Sequence, residues 1–186
     1  SILNPINLPG VDTFGTSGAA GNPIPISGGW DSTAMTTQSG YTILDSQRSG
    51  TTGLTLSADY ITLDRIGFAR HTTAINLNGS TKKGYTFNNM FISNCAALWT
   101  MPSRAMTFNV VSITNSAGGL SIPASANYNT DAAAYNLGFV KLIGNTSGDG
   151  ITVPPNIGSP APVIHDCSVM GNTTAGANGF NIQSPC

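Results

Sequence analysis

Charge is what this sequence has least of. Of its 186 residues, 8% are Asp, Glu, Lys or Arg, against about 25% in an ordinary soluble domain. Glutamate is missing altogether: the acids are eight Asp, the bases seven Lys and Arg, and the net charge is −1. With no basic stripe to grip a phosphate backbone, no nucleic-acid partner is expected. Long apolar runs are missing too. None reaches the roughly 18 residues that mark a membrane-spanning helix, so no membrane contact is expected. The opening residues, SILNPINLPG, lack the charged start and apolar centre of a secretory signal. Cysteine is scarce: Cys95, Cys167 and Cys186 are too few for a disulfide framework and match no zinc spacing. At least one thiol is left over within the chain, and no metal or other cofactor is implied.

What the sequence does contain is repetition. FISNCAALWT at 91–100 is echoed by SITNSAGGLSI at 112–122. Short units of the form small, apolar, any, apolar recur as GLTL (53–56), AINL (74–77), GLSI (119–122), GITV (150–153) and GFNI (179–182), with ALWT (97–100) a looser member. Before most of them lies a second apolar stretch ending in a polar residue: Arg70, Asn94, Asn115, Asn145 and Asn172. The Asn-to-Asn steps are 21, 30 and 27 residues, a period proper to stacked repeat architectures. Met90 with Ile92, and Val111 with Ile113, alternate as one buried strand face should. In the later units Gly144 and Gly171 intrude, and a β-bulge there is expected to bring Asn145 and Asn172 back into line.

Strands of this length and period, with no helical pattern between them, predict an all-β chain: a right-handed parallel β-helix, or β-solenoid, of about five coils spaced about 4.8 Å apart. Asn94, Asn115, Asn145 and Asn172 are expected to form a structural ladder, each at a left-handed turn and each amide bonded to the next. The division expected is an extended arm or capping segment over 1–40, rich in Pro and Gly, and a parallel β-helix domain over 41–186. Arg70, with Asp64 at matching parity, suits a capping coil that faces water.

The Asn ladder and strand pattern resemble the right-handed parallel β-helix proteins of bacteriophage particles, of head-decoration and tailspike type. The resemblance covers roughly 41–186 and is architectural. It implies a non-enzymatic structural protein of the virion surface: an oligomeric capsid decoration or cementing protein, or a short spike, assembled as a homotrimer against the major capsid protein or another virion protein. The alternative it carries is a carbohydrate-binding or carbohydrate-cleaving tailspike domain with a host glycan as ligand.

Candidate chemistry is sparse. His165-Asp166-Cys167 offers a conceivable Cys/His nucleophile pair, although Cys167 falls at an inward position where a thiol behaves as a small hydrophobe, as does Cys95 beside its turn. His71 reads as a solvated turn residue. Glycosidase chemistry needs two carboxylates about 5 to 10 Å apart, yet Asp59, Asp64 and Asp149 do not gather at one repeat position, and Lys82, Lys83 and Arg104 lie in loops. The sequons at Asn78, Asn145 and Asn172 read as by-products of an Asn- and Thr-rich chain, and GTSGAAG at 15–21 lacks the Lys of a phosphate loop. Aromatics outside the strands are few, chiefly Trp30, Trp99, Tyr128 and Tyr135. Cys186 has no place in the repeat and is the candidate for an intermolecular disulfide.

Overall fold

The computed structural model describes residues 12–31, 36–47, 51–77, 82–100, 106–122, 135–154 and 161–183. Among them every regular element is a strand. In chain order these are β1 (Asp12–Phe14), β2 (Ile24–Ser27), β3 (Thr42–Asp45), β4 (Thr52–Leu56), β5 (Ile61–Asp64), β6 (Ile66–Ala69), β7 (Thr73–Leu77) and β8 (Tyr85–Ser93). They continue as β9 (Ala97–Thr100), β10 (Met106–Thr114), β11 (Leu120–Ser121), β12 (Asn136–Ile143), β13 (Ile151–Val153), β14 (Val163–His165), β15 (Ser168–Met170) and β16 (Phe180–Ile182).

The strands form three sheets, and every strand pairing within them is parallel. The largest runs β14-β12-β10-β8-β5-β2, with β3, β6 and β15 joined to it. A second follows the order β1-β4-β7-β9, and a third β11-β13-β16. Along the large sheet strands pair with their counterparts one repeat later: Asp45, Ala69, Ser93, Thr114, Ile143 and Met170 are successive register partners, whereas β9 and β11 lie in separate sheets. The all-β class with strands stacked at the period of the sequence repeat is therefore observed.

Register aligns the core. Ile26, Leu63, Phe87, Phe108, Leu137 and Ile164 form one inward column. Leu44, Phe68, Ile92, Ile113, Leu142 and Val169 form another. Facing them from the other sheets come Leu54, Leu56, Ile75, Leu77, Leu120, Ile151 and Val153, so all three sheets share one hydrophobic cluster. The Phe87 and Phe108 rings lie 5.2 Å apart by centroid, and burying each such side chain contributes about 1.5–3 kcal/mol. Met90, Ile92, Val111 and Ile113 are buried, as their alternation predicts.

Within the segment read as an extended arm or capping segment, residues 12–14 and 24–27 are strands in the same sheets, pairing with β4 and β5. One feature of the long strands is not expected from the sequence. β8, β10 and β12 each contain a residue at positive φ, Asn89, Val110 and Phe139 (φ 50°, 57° and 54°), where the strand bends and side-chain parity resets. Arg65 and Asp166 make the same bend between β5 and β6 and between β14 and β15.

Candidate functional site

The turn after the bend strands carries the residues picked out by the repeat. Asn94 and Asn115 are there in the left-handed conformation (φ 54° and 49°), as expected of Asn. Their backbones stack in sequence: the N–H of Asn94 donates to Thr114 O, that of Asn115 to Ile143 O, and that of Gly144 to Met170 O. The position aligned with Asn94 and Asn115 is thus filled by Gly144 and Gly171 (φ 65° and 61°), not by Asn145 and Asn172. The four-Asn ladder is corrected accordingly. Glycine takes the left-handed turn itself, at no steric cost, and no bulge is needed to realign the Asn that follows it.

One residue further on lies a different column, pointing inward. It holds Ser46, His71, Cys95, Ser116, Asn145 and Asn172, the first five of them buried. Backbone bonds keep it in step: Ala96 N–H to His71 O, Ala117 N–H to Cys95 O, Thr146 N–H to Ser116 O and Thr173 N–H to Asn145 O. The Asn145 amide nitrogen lies 3.1 to 3.3 Å from the carbonyls of Ser147, Gly148 and Asp149, which it serves as donor. Asn172 does the same for Gly148 and Asn178. Asn145 therefore satisfies carbonyls of the turn that follows it, and Asn172 one carbonyl of that same turn and one of its own, instead of the two bonding each other. His71, read from sequence as solvated, is buried. Its Nε2–H donates to Leu44 O at 2.9 Å, and its Nδ1, like Asn145 Oδ1, has no hydrogen-bond partner.

Arg70 forms a fork with Asp45 rather than Asp64: Nε donates to Asp45 Oδ1 at 2.8 Å, and the second nitrogen pairs with Oδ2. The Arg70 hydrogen bond holds the Asp45 carboxyl below the ordinary carboxylate range, against the opposing effect of burial. Asp64 accepts from the Asn89 amide and lies 3.8 Å from Arg65. Asp59 accepts the Lys83 backbone N–H. Asp149 takes the Asn178 N–H and the Asn181 amide, which lower its pKa. Each of these three carboxylates accepts from the repeat that follows it, and the structure does not bring them together. Among the described residues no group of three or more His, Cys, Asp or Glu could hold a metal.

The Cys167 thiol donates to the carbonyls of Leu137 and His165 and is pushed up in pKa by burial. That is the reverse of an activated thiolate. Burial raises Cys95 likewise. His165 turns away to Asp166, with Nδ1 3.0 Å from Oδ2, and its ring lies over Gly138, where a Cβ would sit 2.8 Å from the imidazole. Tyr135 lies just before β12, outside the strands as read, and is fully buried in the core; Trp99, also read as outside the strands, falls within β9. Cys186, Arg104, Asn78 and Tyr128 lie outside the described residues, as does the Trp99 side chain.

The sequence reading missed the bend column. Arg65, Asn89, Val110, Phe139 and Asp166 follow one another along the large sheet, each next to the register-paired residues Asp64, Asn88, Asn109, Gly138 and His165. Val110 is 46% exposed and Phe139 52% exposed. A β-branched or bulky residue at positive φ is a backbone outlier, and these two are apolar and face solvent as well. The signal was in the sequence: apolar pairs three apart, Leu63/Ile66, Phe87/Met90, Phe108/Val111, Leu137/Val140 and Ile164/Cys167, cannot share one face of a straight strand.

Comparison with known protein families, curated proteins and solved structures finds no match to this chain.

Proposed function

We propose that the chain winds as a right-handed parallel β-helix and serves as a non-enzymatic structural protein on the surface of a phage particle, a capsid decoration, cementing protein or short spike assembled as a homotrimer. The observation that carries the reading is the parallel pairing of strands with their counterparts one repeat later along the large sheet, which stacks about six repeats rather than the five counted from sequence. The resemblance to phage β-helices supplies the setting. The lateral surface supplies material for a subunit contact: the outward column Ile43, Gly67, Phe91 and Ser112 is uncharged over four successive repeats, and charge-poor faces suit broad contacts. On this reading the partners are further copies of the chain and a shell protein beneath, with Cys186 available to staple neighbours in an oxidising medium.

A glycan-binding domain is the second reading. The outward rows Thr62, Thr86, Thr107 and Asp64, Asn88, Asn109 favour it, as a flat array of hydroxyls, amides and a carboxylate. Sedimentation of the purified chain tests the first reading: a trimer at micromolar concentration is expected, and a stable monomer overturns it. Saturable binding of host surface polysaccharide, lost on replacing Asn88 and Asn109 by Ala, would instead favour the second.

A further inference from the structure

We infer that the outward face of β8, β10 and β12 binds a neutral linear glycan lying along the stacking direction, with the Phe139 ring as the platform on which one sugar stacks. The inference rests on the second reading above, and adds to it the class of glycan and the residue that fixes it.

The argument begins with a cost. Phe139 occupies left-handed backbone at φ 54°, a conformation that Asn89, two repeats earlier, adopts far more readily. The bend asks only for a residue that tolerates positive φ, as Asn89 shows; it does not ask for an aromatic ring. Strain of this kind is retained where function uses it. Here it turns a large ring outward, 52% exposed, next to a row that holds the amides Asn88 and Asn109.

The ring is also held in place. At Gly138, the next position of that row, there is no side chain, and the His165 imidazole lies in the gap: a Cβ on Gly138 would come within 2.8 Å of it. Asp166 fixes the imidazole, Nδ1 to Oδ2 at 3.0 Å. The Phe139 ring stands perpendicular to it, with 5.5 Å between centroids and 85° between planes. Such a contact covers at most one face of the phenyl ring and leaves the other to solvent. A ring ordered in this way loses little freedom when a ligand settles on it.

The surroundings say what settles there. A pyranose offers C–H groups on its face, which pack on an aromatic ring, and hydroxyls around its edge, each both donor and acceptor. The rows beside Phe139 match that edge: Thr86 and Thr107, then Asn88 and Asn109, present hydroxyls and amides that also donate and accept. Successive repeats lie about 4.8 Å apart, close to the advance of one sugar in an extended glycan, so a chain along the stack meets each repeat with a fresh unit. Charge points to a neutral one. Arg65 is set against Asp64 at one end of the face and Asp166 against His165 at the other, each within the chain. The four Thr and Asn residues between them carry no charge, and Lys141 stands beyond the bend, in the column of Ser112.

The test separates binding from folding. The chain is titrated calorimetrically with neutral linear fragments of β-1,4-glucan, mannan and dextran, and with acidic fragments of polygalacturonate and hyaluronan, at low salt and at 1 M salt. Binding of a neutral fragment, unchanged by salt, is expected. Phe139→Asn should weaken it about tenfold or more while melting no earlier than the parent, because Asn accepts the left-handed turn. Phe139→Trp should retain it. A ring kept only for packing would give the reverse, a lower melting temperature with binding unmoved, and would overturn the inference. Neutral-fragment binding that survives Phe139→Asn but is lost on replacing Asn88 and Asn109 by Ala overturns it too, and leaves the glycan reading standing. Binding of acidic fragments alone, fading at high salt, overturns the neutral class. No binding of any fragment at millimolar concentration overturns both.

Discussion

Asn145 shows what a single inward amide does in a chain with so little charge. Its nitrogen faces the carbonyls of Ser147, Gly148 and Asp149 from a buried position, and of these Gly148 O also receives the Asn172 amide. Replacing the amide by a carboxylate removes the donor and sets a negative group against three carbonyl oxygens. We therefore expect Asn145→Asp to cost about 3 kcal/mol, the desolvation and lost hydrogen bonding together. Asn115→Asp is the contrasting case. Asn115 is exposed, and Asp tolerates left-handed backbone, so the change should stay within about 0.5 kcal/mol. Urea unfolding of the two variants beside the parent measures the difference. Equal stabilities would mean that Asn145 is not the residue that satisfies its turn. The contrast also separates the two columns: a residue one place along from a left-handed Gly faces the core, and the same residue type at the left-handed place faces water.

At the scale of the strand, the bend sets which side chains face inward. Between Phe87 and Met90, or Phe108 and Val111, one residue at positive φ changes parity and keeps both apolar neighbours buried. Asn89 meets this demand with a side chain suited to it; Val110 does not. Val110→Asn should accordingly raise the stability of the single chain by about 1 kcal/mol, the relief of left-handed strain at a β-branched residue. Thermal melts at low concentration, where chains are unpaired, check this, and a destabilised variant would mean that the bend is not strained. These elements also mark how far sequence reasoning reaches. The strands GLTL, AINL, GITV and GFNI, the inward Ile92 and Ile113 and the left-handed Asn94 and Asn115 were legible, because period-2 burial and Asn turn chemistry are local. The place of Asn145 was not. Whether the Gly before it adds a bulge or takes the turn depends on the register with Asn115, a contact 29 residues away. The Asp45–Arg70 fork was missed for the same reason, since partners one repeat apart are fixed by stacking and not by spacing along the chain.

For the molecule as a whole, stacking makes stability a matter of neighbours. A middle repeat packs against one on either side, and an end repeat against one. The core columns record this: Phe87, Phe108 and Leu137 are fully buried, whereas Ile26 and Ile164, at the two ends of the same column, are only partly so. Phe108→Ala removes a ring that touches Phe87 and is aligned with Leu137, and leaves a cavity that two neighbours cannot both close. Its expected cost is about 3–5 kcal/mol. Ile164→Ala, at the end of the column, should cost about 1–2 kcal/mol, because less apolar area returns to water and the open side can relax. Amide hydrogen exchange should follow the same gradient. Protection is expected to be highest in β8 and β10, which have parallel partners on both sides, and lowest in β2 and β14 at the edges of the large sheet. End-to-end stacking of copies would protect β2 and β14 as strongly as the middle. Uniform protection with near-equal costs for the two substitutions would therefore rule out an isolated stack and point to one extended through its ends.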